Sequence, residues 1–180
     1  DGGRMLGRHL VELGHRDIAL ISGPATLVST EERLGGLKEA LDAAGARLIV
    51  HHGPPTRDEG YHAAGRLLEQ HPELTAITGT ADQMAIGALA HLRDHGRSVP
   101  GDISVAGFND IDVSKDLSPA LTTVRLPLRE MGSSALDIAL GPGFGAGAGP
   151  GAVGGAQERV QRQLGVELVV RESTGPVRER

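Results

Sequence analysis

The amino-acid sequence predicts an α/β protein, a doubly wound, mostly parallel sheet with helices on both faces. Two observations carry this. Short, continuous apolar runs alternate with helix-period patterns along the chain, and the connections between them are short and punctuated by Gly and Pro. Such runs fit strands buried on both faces, as in a parallel sheet.

The elements follow in order. Residues 4–13 keep Leu6, Leu10 and Leu13 on one helical face, and Gly14 is a natural residue to follow a helix end. Residues 17–22 (D-I-A-L-I-S) read as a buried strand broken by Gly23-Pro24. Ser29-Thr30-Glu31-Glu32 fits a capping box opening a helix that Gly45 closes. Residues 47–51 are the next strand. Thr56-Arg57-Asp58-Glu59 offers a second capping box, for a helix running to about residue 70. Residues 75–78 are a short strand, and Asp82 is placed to cap a helix that ends near His95-Gly96. Strands at 103–106 and 122–125, a helix at 128–140 and a strand at 166–170 complete the pattern. Between the last two lies residues 141–155, with eight glycines, which predicts a flexible surface loop.

Composition bounds the function. With 39% hydrophobic and 23% charged residues the chain is globular, large enough for one core or two small ones. Only Tyr61, Phe108 and Phe144 are aromatic, so aliphatic residues must build the interior. A formal charge of −5 argues against this chain gripping nucleic acid by itself. There is no cysteine, hence no disulfide framework or thiolate site, and no run long enough to span a membrane. The chain opens Asp1-Gly2-Gly3 without Met, which predicts a piece of a longer protein. No G-x-S-x-G, P-loop or nucleophile–base set occurs, so no enzyme and no cofactor is expected. His91 and His95 share the i, i+4 spacing of metal-binding pairs, but Leu92 stands where the zincin pattern needs Glu; no metal site is expected.

The most informative stretch is V-P-G-D-I-S-V-A-G-F-N-D, residues 99–110. Its strand is expected to end at Gly107, which leaves Asn109 and Asp110 at a carboxyl end, where open α/β sheets bind ligands. Either residue can bond a polar small molecule or satisfy turn backbone. This stretch, with L-S-P-A-L-T-T-V-R-L-P-L-R-E-M-G, H-L-V-E-L-G-H-R-D-I-A-L-I-S-G-P and A-D-Q-M-A-I-G-A-L, resembles the effector-binding core of the lactose-repressor (LacI/GalR) family of bacterial transcription regulators. The resemblance covers nearly the whole chain outside the glycine-rich segment.

The resemblance implies a periplasmic-binding-protein-like fold of type I, two α/β subdomains with ligand in the cleft between them. On that pattern residues 1–14 end the N-terminal subdomain and 15–124 form the C-terminal effector-binding one. Residues 125–140 return to the N-terminal subdomain, 141–155 are the loop, and 156–180 make the final crossing, last strand and tail. Most of the N-terminal subdomain and the DNA-binding helix-turn-helix lie outside this chain. The implied ligand residues are Ser29, Arg33, Pro55, Ala81, Asp82, Asn109 and Asp110. Arg33 sits where the family places a ligand-gripping Arg, and a first-turn Arg opposes the helix dipole, which suggests another purpose. Ser29 aligns with a family contact but also suits N-capping, and Asp82 reads as an N-cap before a ligand group. Asn109 replaces a frequent Asp, Ala81 a frequent Asn and Pro55 an aromatic ring; Leu126 stands where some relatives have Gln. The helix from Asp82 is apolar around much of its girth, and the resemblance places Met84, Ile86, Leu89, Lys115, Asp116 and Leu117 in a homodimer interface.

The expected function is therefore the effector-binding and dimerisation domain of a cytoplasmic regulator. A small molecule, a sugar or another polar metabolite, would alter operator affinity, with DNA held only by the missing helix-turn-helix and no membrane partner. The alternative is an exported solute-binding protein of a transport system, and an α/β enzyme is the third class.

Overall fold

The structure is a computed structural model that describes residues 1–140 and 163–178. Its elements are α1 (Gly2–Glu12), β1 (Asp17–Ser22), α2 (Val28–Asp42), β2 (Arg47–His52), α3 (Arg57–Gln70), β3 (Ala76–Gly79), α4 (Asp82–Asp94), β4 (Ser104–Asn109), a 3-10 turn (Asp112–Lys115), β5 (Thr122–Arg125), α5 (Leu128–Leu140) and β6 (Glu167–Val169). The six strands form one sheet in the order β2-β1-β3-β4-β5-β6. β1 to β5 are parallel, as expected, but β6 runs antiparallel to β5, pairing Thr123 with Val169 and Arg125 with Glu167.

Alternation along each strand builds two cores. Ile18 and Leu20 of β1 join Leu6 and Leu10 of α1, Leu37 and Leu41 of α2, Phe108 and Val124. Ala19 and Ile21 point the other way, to Ala63 and Leu67 of α3, Met84, Ala88 and Leu92 of α4, Val105 and Leu121. The α1 and α3 helices each present glycine to a neighbour. A Cβ on Gly87 would lie 2.0 Å from the Arg57 carbonyl and one on Gly60 2.1 Å from that of Met84, so α3 and α4 approach closer than any side chain allows. Much of the apolar girth of α4 is thus taken up by α3 and the sheet.

The chain divides into two compact units, residues 1–126 with 166–180, and residues 127–165. The expected boundary at residue 14 is corrected: Leu6 and Leu10 are buried in the sheet unit's second core, which binds α1 to it. In the other unit, α5 carries exposed Leu128, Met131, Leu136 and Ile138. The glycine-rich segment 141–155 lies outside the described residues.

Helix ends explain several boundaries. Gly14, Gly45 and Gly96 take φ of 90°, 65° and 67°, the left-handed conformation that ends a helix at glycine's low cost. The Thr56 hydroxyl accepts from the Glu59 N–H at 3.2 Å, as its capping box predicts. The other box is corrected. α2 starts at Val28 after Leu27, and no side chain caps it, so Ser29 lies inside the first turn.

After β6 the chain closes the sheet unit through buried polar contacts. His15, 2% exposed, places Nδ1 2.9 Å from the Thr75 hydroxyl and Nε2 3.0 Å from the Ser104 hydroxyl and 3.1 Å from the Gly175 carbonyl. Burial pushes its pKa down to about 4, against a smaller upward pull from the Gly175 carbonyl. The folded state therefore prefers neutral imidazole. Above pH 6.5 His15 is neutral in both states and the preference is fully met. As pH falls from 6.5 towards 4 the unfolded chain takes up a proton that the folded one refuses, and stability drops. At about 1.4 kcal/mol per pH unit, the loss approaches about 3 kcal/mol by pH 4. Urea unfolding at pH 7 and pH 4.5 should show a steeper acid loss for the parent than for His15→Gln; equal losses would contradict it.

Candidate functional site

The strand order reverses between β1 and β3: the chain goes from β1 outward to β2 and returns to β3 on the other side. Crevices at such a reversal, outside the carboxyl ends of the strands, are where open α/β sheets hold ligands. The candidate site is built at this point. Arg33, in α2 after β1, reaches across to the β3–α4 loop and donates from Nη1 to the Thr80 carbonyl at 2.5 Å. Its guanidinium lies over the Phe108 ring, 4.2 Å from the centroid, a cation–π contact that fixes the plane of the group. Burial lowers the pKa of Arg33, and the Asp82 carboxylate pulls it back up; guanidinium stays charged throughout. It has five N–H donors, of which the Thr80 bond uses one.

Thr80, 4% exposed, ties the loops together. Its hydroxyl accepts from the Gly23 N–H at 2.9 Å and meets the Met84 sulfur at 3.7 Å. Neither Thr80 nor Phe108 was in the expected ligand set. Phe108, as one of three aromatics and beside Asn109, was the available signal.

The expected residues fall into three groups. Arg33, Ala81 and Asn109 surround the reversal. Ala81 is half-buried at the N-cap position of α4, and Asn109 is half-buried at the end of β4 with φ 121°. Ser29 and Pro55 are exposed on the α2 first turn and the β2–α3 loop.

Asp82 and Asp110 are turned inward. Asp82 is fully buried and is not the N-cap, a correction to the expected role: Ala81 holds that position and no side chain caps α4. Its carboxylate accepts instead from the Thr123 hydroxyl at 2.6 Å, the Ser114 hydroxyl at 3.0 Å and the Ile111 N–H at 2.8 Å. This explains Gly107. A Cβ there would stand 2.3 Å from Asp82 Oδ1, so only glycine lets β4 run past the carboxylate. β4 thus continues through Gly107 to Asn109, where the sequence had predicted a turn. Asp110, expected as a ligand contact, accepts from Arg125 Nε and Arg171 Nη2, both at 2.6 Å. Burial pushes this carboxyl up, but the bonds from Arg171 and Arg125 outweigh it and hold it below the usual carboxylate range.

The expected interface is also sorted. Met84 is corrected: it is fully buried in the first core and cannot meet a partner. Ile86, Leu89 and Leu117 line a groove of about 480 Å³ with Val99 and Pro119, and Arg57, Arg93 and Arg97 border it. Lys115 and Asp116 are exposed beside it, at the end of the 3-10 turn. His91 and His95 stack at 4.0 Å between centroids, with Tyr61 edge-on to His91. No group of three or more metal-ligating side chains occurs among the described residues, and none of their helices is long and apolar enough to cross a membrane.

Comparison with known proteins places this architecture. Residues 8–174 match the model of the periplasmic binding protein-like domain family, and the chain belongs to that family. The HTH-type transcriptional regulator CelR of Thermobifida fusca is 37% identical over 175 residues, covering 96% of this chain and 49% of that protein. The HTH-type transcriptional repressor PurR of Salmonella arizonae is 36% identical over 143 residues, 78% of this chain and 42% of that one. Among solved structures, the lac repressor dimer bound to operator and the anti-inducer ONPF superposes with a TM-score of 0.81 at 34% identity, over 97% of this chain and 58% of the other. A CelR–cellobiose complex gives 0.80 at 37%, over 96% and 51%. The chain spans about half the length of the curated relatives it matches. These relatives are regulators of the lactose-repressor type that the motifs resemble.

Proposed function

We propose that this chain is the effector-binding and dimerisation part of a cytoplasmic, DNA-binding transcriptional regulator, and that its effector is a sugar or a sugar-like polar metabolite. The observation that carries this is Arg33, anchored by Thr80 and Phe108 at the reversal of strand order with most of its donors uncommitted to that anchor. A planar cation so held suits the paired oxygens of vicinal hydroxyls or a carboxylate. Asn109 adds an amide that both donates and accepts. The cellobiose complex of a 37% identical regulator supports a sugar. Because Ala81 and Pro55 supply neither side-chain hydrogen bonds nor stacking, this half of the cleft should discriminate little, and a second subdomain would supply the rest. On this reading α5, with its exposed apolar residues, belongs to that subdomain.

Effector binding would act by population shift. A ligand bound better in one arrangement of the two subdomains favours it, and the spacing of the DNA-binding heads across a dimer follows. The dimer would form through the Ile86–Leu89–Leu117 groove, and DNA would be held by a helix-turn-helix outside this chain. Calorimetric titration of the full-length protein with cellobiose, ribose, nucleosides and organic acids tests the reading. Saturable heat from a sugar, accompanied by a change in operator affinity, is expected. Sugar binding without any effect on DNA binding would favour a transport protein.

A further inference from the structure

Two consecutive residues, Asn109 and Asp110, adopt φ of 121° and 57°. Glycine takes such angles without strain; other side chains hold them only where the surroundings enforce the conformation. The enforcing contacts here come from the two strands by which the chain leaves and re-enters the sheet unit. Arg125, last residue of β5, pairs in register with Asn109 on one side and Glu167 of β6 on the other. It donates to Asp110 at 2.6 Å and to Glu167 at 3.1 Å. Arg171, just past β6 and 15% exposed at its side chain, donates to the other Asp110 oxygen at 2.6 Å and to the Leu121 carbonyl at 2.6 Å, while its own N–H donates to the Thr122 hydroxyl at 2.9 Å. The Asp110 side chain is 9% exposed, so these bonds are little diluted by water.

We propose that Asp110 is a positioning residue of the effector site: clamped by Arg125 and Arg171, it holds the strained turn that presents Asn109, and so ties that contact to the roots of both chain crossings. The proposal rests on the effector reading above. It explains why the turn carries Asn-Asp where Gly-Gly would cost less. One side chain is needed to anchor the turn and the other to meet the ligand. It also makes the two crossings, at residues 126–127 and 165–166, mechanically continuous with a ligand contact, because the carboxylate is bonded to Arg125, next to the first, and Arg125 is bonded in turn to Glu167, next to the second.

The test compares the full-length protein with Arg171→Met, Arg171→Lys and Asp110→Asn, by amide hydrogen exchange without ligand and by cellobiose titration. Arg171→Met and Asp110→Asn should speed exchange over residues 107–112 tenfold or more, while residues 17–22 and 47–52 stay within twofold of the parent. The same two variants should weaken cellobiose binding tenfold or more, and Arg171→Lys, which keeps the charge, should recover most of both effects. Faster exchange spread evenly over the sheet would reduce the clamp to general stability and overturn the proposal. So would local loosening with unchanged affinity. A parent that binds no sugar at all would count against the effector reading alone. The exchange arm would still decide the clamp: local loosening reversed by lysine supports it, and even loosening overturns it.

Discussion

Asp82→Ala lowers the unfolding free energy by about 3–5 kcal/mol, because three donors lose their only charged acceptor at once. The Ile111 N–H and the Ser114 and Thr123 hydroxyls all point at this carboxylate, and Ser114 and Thr123 are fully buried. Water cannot readily replace the acceptor, and each unsatisfied donor costs about 1–3 kcal/mol, more when its partner was charged. Asp82→Asn should cost less, since one oxygen remains to accept, but its amide N–H groups face donors and the Thr123 bond is the one at risk. Urea unfolding of the three proteins gives the comparison. A loss below about 1 kcal/mol for the alanine variant would show that these three bonds contribute little to the stability of the fold.

Leu89→Lys should dissociate the full-length dimer. Leu89 lines the groove with Ile86 and Leu117, so its replacement forfeits about 2 kcal/mol of apolar burial per subunit. An ammonium placed there also faces Arg57, Arg93 and Arg97, and burying it unpaired adds about 2 kcal/mol. With both subunits of a two-fold dimer carrying the change, the sum is about 8 kcal/mol, roughly a millionfold rise in the dimer dissociation constant. Aspartate would be a blunter probe, since Arg93 stands one helical turn on and would compensate it. Sedimentation velocity should show monomer for the lysine variant at concentrations where the parent is dimeric. A parent that is itself monomeric, or a lysine variant that stays dimeric, would remove this surface from the interface.

Much of the fold was legible because the deciding contacts are local. The alternation of Ile18, Ala19, Leu20 and Ile21 already implies two buried faces, and Thr56 with Glu59 marks a helix start within one turn. Glycines 14, 45 and 96 end helices as their positions suggest. What was hidden depends on partners far along the chain. The bonds of Asp82 come from residues 29 to 41 positions away, and Arg171 reaches Asp110 across 61. Without those partners an aspartate before an apolar helix reads as a cap and one in a turn as a ligand group. The same holds for Gly107, which resembles a turn until the carboxylate beside it is known. For the candidate site, the resemblance pointed to Arg33 and Asn109, whereas the contacts of Arg33 with Phe108 and Thr80 emerge only when three strand ends are brought together.

If Arg33 at the strand reversal is the grip on the effector, the most direct test is to titrate cellobiose into the full-length protein and into its Arg33→Ala variant at equal salt and pH. Losing a charged hydrogen-bond partner should weaken binding by about 1.5–3 kcal/mol, roughly ten- to 150-fold, with the dimer intact. A sugar that binds the parent and the Arg33→Ala variant with equal affinity would show that the effector sits elsewhere.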